Sequence, residues 1–166
     1  MDQDSTGPRT SAGVLLGLGL GGFFDGIVLH QLLQWHHMAS SWRPVNDVQS
    51  LEFNTTLDGA FHAATYIFIV VGVVLLWRDA ARGRRPWSLR RFVGCLLCGF
   101  GAFNLVEGTI NHHILGLHHV NETAPPAHWP YWDIGFLIWG AAMAFAGFGM
   151  MRQGRRRAGS GSGRQV

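Results

Sequence analysis

The 166-residue chain carries nine histidines: His30, His36, His37, His62, His112, His113, His118, His119 and His128. Carboxylates accompany them, with Asp25 before His30, Asp58 before His62, Glu107 before His112 and Asp133 after His128. Imidazole and carboxylate together suit zinc, iron, manganese or cupric copper, some carboxylates coordinating and others orienting a ligating imidazole. A cuprous site would want thiolates or thioethers, and Met38 alone supplies such a donor near these residues. Were the metal to keep an exchangeable position, Asp25 or Glu107 could serve as general base toward a metal-bound water.

The elements that position these residues are membrane spans. Apolar residues make up 48% of the chain and charged ones only 14%, against roughly 25% charged in soluble domains. The apolar runs at 13–33, 57–77, 92–115 and 134–151 are each long enough to cross a hydrocarbon core about 30 Å thick. The expected architecture is all-α, an integral membrane four-helix bundle covering 13–151, with disordered tails at 1–12 and 152–166. Asp2 and Asp4 spoil the basic start of a cleavable signal peptide, so the first run counts as a span. Trp35, Trp77, Trp87, Trp129 and Trp132 mark boundaries, as interfacial rings do.

All 13 basic residues are arginine, and 12 of them fall at the start, in the connection between the second and third spans, or after the last span. Arginine follows the cytoplasmic side, so both termini are expected there and Arg43 is the lone outer arginine. Basic blocks flanking spans are topology signals, and no nucleic-acid partner is implied. Gly13, Gly17 and Gly21 form a ladder for close helix contact, as do Gly22 with Gly26 and Gly140 with Ala144. Cys95 and Cys98 sit beside Gly94 and Gly99 in the inner half of the third run, where small-residue packing is the simpler reading. No internal repeat stands out, although each pair of spans carries histidine at its outer end.

Every histidine falls in the outer half of a span or in an outer loop, and ionisable groups at such depths are expected to face one another or water. With 100° per residue, Asp58, His62 and Thr65 share one face of the second span. Asn104, Glu107 and Asn111 form a stripe on the third that extends toward His118, flanked by His112 and His119, while His113 points away. On the first span Asp25 aligns with His36, and His30, Gln34 and His37 form a second line about 120° round. The expected metal site is therefore His30, His37, His62, His112, Asp58 and Glu107, with His36, His118 and His119 as further donors. Asp58 and Asp133 are also placed to cap the second and fourth helices, and Asn54 and Asn121 begin sequons in outer loops.

The strings GFFDGIVLHQLLQWHHM, DGAFHAATY, FNLVEGTINHHILGLHHV and WDIGFL, in that order, resemble an uncharacterised bacterial family of predicted four-span inner-membrane proteins. The resemblance covers roughly 13–151 and implies location in the bacterial cytoplasmic membrane. Members tend to be encoded near assembly factors of haem-copper oxidases, which hints at respiratory or metal work and at such assembly components as partners. HHILGLHH is similar to the histidine boxes of di-iron membrane desaturases and hydroxylases, but those enzymes are larger and keep their boxes on the cytoplasmic side.

Three functional classes follow. The favoured one is a membrane metal-binding protein with zinc, iron or copper near the outer leaflet, catalytic or metal-handling. The second is b-type haem electron transfer with His62 and His112 as axial ligands. The third is a proton or cation relay through Asp25, His30, Glu107 and His112, although the inner halves of the spans carry no continuing chain of ionisable groups. Beyond the lipid bilayer, glycine-faced outer surfaces could pair bundles into a homo-oligomer.

Overall fold

The computed structural model describes residues 8–84 and 87–160. It is all-helical there. Helix α1 spans Thr10–Phe23 and continues as a π-helical segment, Phe24–Leu32. Helix α2 spans Val48–Ala81, and α3 spans Leu89–Glu107 with its own π-helical continuation, Gly108–Ile114. A 3₁₀ turn at Pro126–His128 leads into α4, Trp129–Ser160. Thr10–Leu32, Val48–Ala81, Leu89–Ile114 and Pro126–Gln153 are long and apolar enough to cross a membrane.

Several boundaries differ from the sequence reading. Helix α2 starts well before residue 57 because Asp47 and Ser50 form a capping box, the Asp47 carboxylate accepting from the Ser50 amide at 2.7 Å. Asp58 is thus an interior residue of α2, and Asp133 likewise lies inside α4. Neither is a cap. Helix α4 continues through the arginine-rich segment to Ser160, where disorder was expected. The same expectation for residues 1–7 and 161–166 lies outside the described residues.

Helices α1 and α3 form the central pair, with α2 packed on α1 and α4 on α3. The central pair is parallel, in register and glycine-lined: a side chain at Gly13 would meet Cys95, one at Gly17 would meet Leu96 and Gly99, and one at Gly21 would meet Phe103. Such contacts let the backbones approach closely without a hydrophobic driving force, as helix association in lipid requires. Cys95 and Cys98 are free thiols within this packing, Cys95 at the α1 contact and Cys98 against Gly147 of α4. The outer helices turn much of their surface outward, including Tyr66, Ile67, Val70 and Val71 of α2 and Ile138 and Phe145 of α4, which suits lipid. At the arginine end, buried Asp79 accepts from the Arg9 amide at 2.7 Å and pairs with Arg84 at 3.4 Å, tying the chain start to α2.

Candidate metal centre

At the end of the bundle opposite the arginine-rich connection, the first and third helices do the same thing twice. Adding 82 to Asp25, Gly26, His30, His36 and His37 gives Glu107, Gly108, His112, His118 and His119. Both stretches therefore read acidic-Gly-x3-His-x5-His-His. In an α-helix a carboxylate and a histidine five apart would sit about 140° from each other. The π-helical segments use i→i+5 bonding instead, and bring Asp25 beside His30 and Glu107 beside His112. Each segment then ends on a left-handed residue 82 apart, Gln34 at φ 50° and Gly116 at φ 56°. These turns reverse the chain: the amide of Trp35 donates to the Leu29 carbonyl at 2.9 Å, and that of Leu117 to Asn111 at 2.8 Å. Both turns fold the His-His pairs back over the helix ends.

The outer helices repeat as well, at an offset of 75: Asp58 and Phe61 of α2 correspond to Asp133 and Phe136 of α4. His30 stacks on Phe61 with centroids 5.6 Å apart, and His112 lies on Phe136 at 5.5 Å. The two hairpins are related by an axis between α1 and α3, a parallel internal repeat of a kind known in membrane proteins. The sequence reading found no such repeat, because outside these positions the hairpins share little.

Four imidazoles meet on this axis. His36 and His118 stack with centroids 4.4 Å apart and planes 5° from parallel, while His30 lies 4.3 Å from His36 and His112 lies 4.9 Å from His118. Three of their Nδ1 atoms are hydrogen-bonded outward. His30 Nδ1 donates to Asp58 at 2.9 Å, His36 Nδ1 to the Val120 carbonyl at 2.8 Å and His118 Nδ1 to the Met38 carbonyl at 3.0 Å. His112 Nδ1 faces Asp133 at 3.6 Å. A carbonyl only accepts, so in neutral His36 and His118 the Nε2 atom carries the lone pair, and it points inward.

The carboxylates stand against those inward nitrogens. Asp25 Oδ2 is 3.1 Å from His30 Nε2 and Asp25 Oδ1 is 3.9 Å from His36 Nε2. Glu107 Oε1 is 3.1 Å from His112 Nε2 and 3.0 Å from His118 Nε2. Both Asp25 oxygens, Glu107 Oε2, His30 Nε2, His36 Nε2 and both His112 nitrogens are buried without a hydrogen-bond partner. His118 Nε2 meets Glu107 Oε1 in a hydrogen bond when its ring is protonated, whereas a neutral ring's lone pair facing a carboxylate in a dry interior repels it unless a cation lies between them. Two donors each about 2.1 Å from one ion stand roughly 3.0–3.4 Å apart at tetrahedral to right angles, the spacing seen for three of these four pairs. Donor atoms of His30, His36 and His118 lie within 4.8 Å of one another, as do those of Glu107, His112 and His118.

An outer layer holds this ring. The Asp58 carboxylate also accepts from His37 Nδ1 at 2.7 Å and the Met38 amide at 2.8 Å; Asp133 accepts from His119 Nδ1 at 2.6 Å and the Val120 amide at 2.9 Å. Carboxylates behind ligating histidines are the usual means of fixing ring orientation and tautomer. Burial, with His118 and His30 alongside, holds the His36 imidazole well below its ordinary 6.5. Burial would also lower His118, but the facing Glu107 carboxylate outweighs it and the group is raised.

Several expected donors take other places. His62 turns to its own helix, Nδ1 donating to the Asp58 carbonyl at 2.7 Å, with Nε2 against Gly26. Its counterpart at an offset of 75 is Leu137, which packs on Gly108 in the same way. His37, His119 and Asp58 belong to the outer layer, His113 and His128 are exposed, and Asn54 and Asn121 are buried. His36, His118 and Asp25 take the inner places. Asn104 lies one turn inward of Glu107, buried with both side-chain polar atoms unpaired, and further in the glycine contacts close the bundle.

The fold and site define a multi-span membrane protein with a buried histidine and carboxylate cluster at one end. Residues 12–154 match the sequence profile of a family described as predicted membrane protein (DUF2243), and the chain belongs to that family. No curated protein and no solved structure matches the chain.

Proposed function

We propose that this is a membrane metalloprotein whose resident transition metal, zinc, iron or copper, is held by His30, His36, His112 and His118 with Asp25 and Glu107. The observation that carries the reading is that Asp25 and the Nε2 atoms of His30, His36 and His112 face inward, buried, with no hydrogen-bond partner, beside the hydrogen-bonded His118 and Glu107. Asp58 and two backbone carbonyls hold His30, His36 and His118 in an orientation that suits a metal, with Asp133 3.6 Å from His112. When bound, the metal would supply Lewis acidity or redox capacity in a site closed to water, and Asp25 or Glu107 would be the candidate bases. Arginine placement supports a centre at the outer face of the membrane with both termini inside, and the bacterial cytoplasmic membrane is the location proposed.

The geometry disfavours the two alternatives. His62 and His112 do not oppose each other across a gap, and imidazoles with centroids 4.3–4.9 Å apart leave no plane for a porphyrin. A relay would need ionisable groups beyond Asn104, where Gly17 and Gly99 instead seal α1 against α3. Elemental analysis and an absorption spectrum of detergent-purified protein test the reading. The expected result is bound metal with no Soret band, lost in His36→Ala and His118→Ala but kept in His62→Ala. A Soret band, or metal indifferent to His36 and His118, would overturn it.

A further inference from the structure

The inner donors divide by repeat. Asp25 is bracketed by His30 and His36, and Glu107 by His112 and His118, so each half presents two imidazole nitrogens and one carboxylate. Two histidines and one carboxylate are a sufficient protein contribution for one ion that keeps open positions. The donors do not collapse onto a single point: His30, His36 and His118 form one close group and Glu107, His112 and His118 another, with His30 and His112 never in the same one. One imidazole nitrogen has one lone pair, so His118 cannot serve two ions, and the repeat places His36 in the first set and His118 in the second.

Charge points the same way. Asp25, Asp58, Glu107 and Asp133 are all buried, at 1%, 1%, 5% and 2% exposure. Among the described residues no arginine joins them. Arg43, the one arginine of that end, lies over the Phe53 ring at 4.8 Å. Buried charge at membrane depth requires compensation close by. Once the imidazoles ligate in their neutral form, Asp25 with Asp58 in one half and Glu107 with Asp133 in the other each call for one divalent ion close by.

We propose that the centre is dinuclear: one divalent transition-metal ion in each repeat, side by side across the internal axis. The inference rests on the metal reading above and goes beyond it in number and symmetry. Ions in paired sites of this kind stand about 3.5–4 Å apart, close enough for magnetic coupling. Asn104, unpaired one turn below Glu107, breaks the symmetry because its counterpart is Gly22.

The test uses the full chain, purified in detergent from cells grown with Mn(II) as the supplied metal and again with Zn(II). Metal per chain is measured by elemental analysis against quantitative amino-acid analysis, and the manganese form by electron paramagnetic resonance. Two ions per chain with an exchange-coupled manganese signal are expected. One ion per chain with an isolated Mn(II) hyperfine sextet would overturn the dinuclear proposal and leave the metal reading standing. No bound ion with either metal would overturn both. In folded His30→Ala and His112→Ala, judged by gel filtration, each variant should hold one ion and lose the coupled signal. A coupled pair surviving either change would also overturn the proposal.

Discussion

Replacing Asp58 by Asn probes the outer layer without changing its shape. One carboxylate oxygen accepts from His30 Nδ1 at 2.9 Å and the Met38 amide at 2.8 Å, and the other from His37 Nδ1 at 2.7 Å and more weakly from Gln31 at 3.4 Å. An amide has one oxygen, so one of these pairs must face an NH₂ group that cannot accept. The less costly arrangement keeps the buried His30 and Met38 bonds and sacrifices the His37 and Gln31 side. A charge-assisted bond is worth about 1.5–3 kcal/mol, and that is the expected loss of stability. Metal affinity should also fall, because His30 loses the charge behind it. Partners of this kind contribute about 10–100-fold, or roughly 1.4–2.8 kcal/mol. Competition against a chromogenic zinc chelator reads the affinity, and thermal unfolding in detergent reads the stability. Asp133→Asn should act alike, since Asp133 serves His119, Val120 and His112 in the second repeat. Unchanged affinity in both variants would refute the claim that these carboxylates orient ligating histidines.

Gly17→Leu or Gly99→Leu forces a side chain into the facing backbone and should cost at least 1–3 kcal/mol, visible as lost thermal stability or lost folded protein on gel filtration. Gln34 holds a left-handed conformation that its repeat mate Gly116 adopts freely, so Gln34→Gly should raise stability by about 1 kcal/mol and Gly116→Ala lower it by a similar amount in thermal melts. In metal-free protein the raised His118 is protonated against Glu107, so its contribution to stability is fully present below the unfolded value of 6.5 and lost as pH rises through the folded value. Metal uptake must displace that proton; apparent zinc affinity should therefore climb with pH until His118 has titrated and then flatten, in a chelator competition series, and in His118→Gln this proton-linked rise should diminish.

The four spans, the small-residue contacts and the gathering of histidine at one end were legible because hydropathy, glycine spacing and arginine placement are one-dimensional signals. The membership of the inner cluster was not, and the reason is local. A regular 100° turn carries His30 away from Asp25, and the π-helical segments undo that rotation. His36 and His118 reach the axis only because Gln34 and Gly116 reverse the chain. His62 looked favourable as the i+4 partner of Asp58, yet that spacing is what lets its ring bond the Asp58 carbonyl of its own helix. The acidic-Gly-x3-His-x5-His-His repeat was the available signal: it groups Asp25, His30 and His36 with Glu107, His112 and His118, and leaves His62 unmatched.

X-ray absorption at the edge of the metal bound to the purified protein tests the central claim most directly. The account predicts a shell of nitrogen and oxygen at about 2.0–2.2 Å with the outer-ring scattering of imidazole and no sulfur. A sulfur shell near 2.3 Å would move the metal to Cys95 and Cys98, and a shell without imidazole would take it away from the histidine ring. Either would contradict the account.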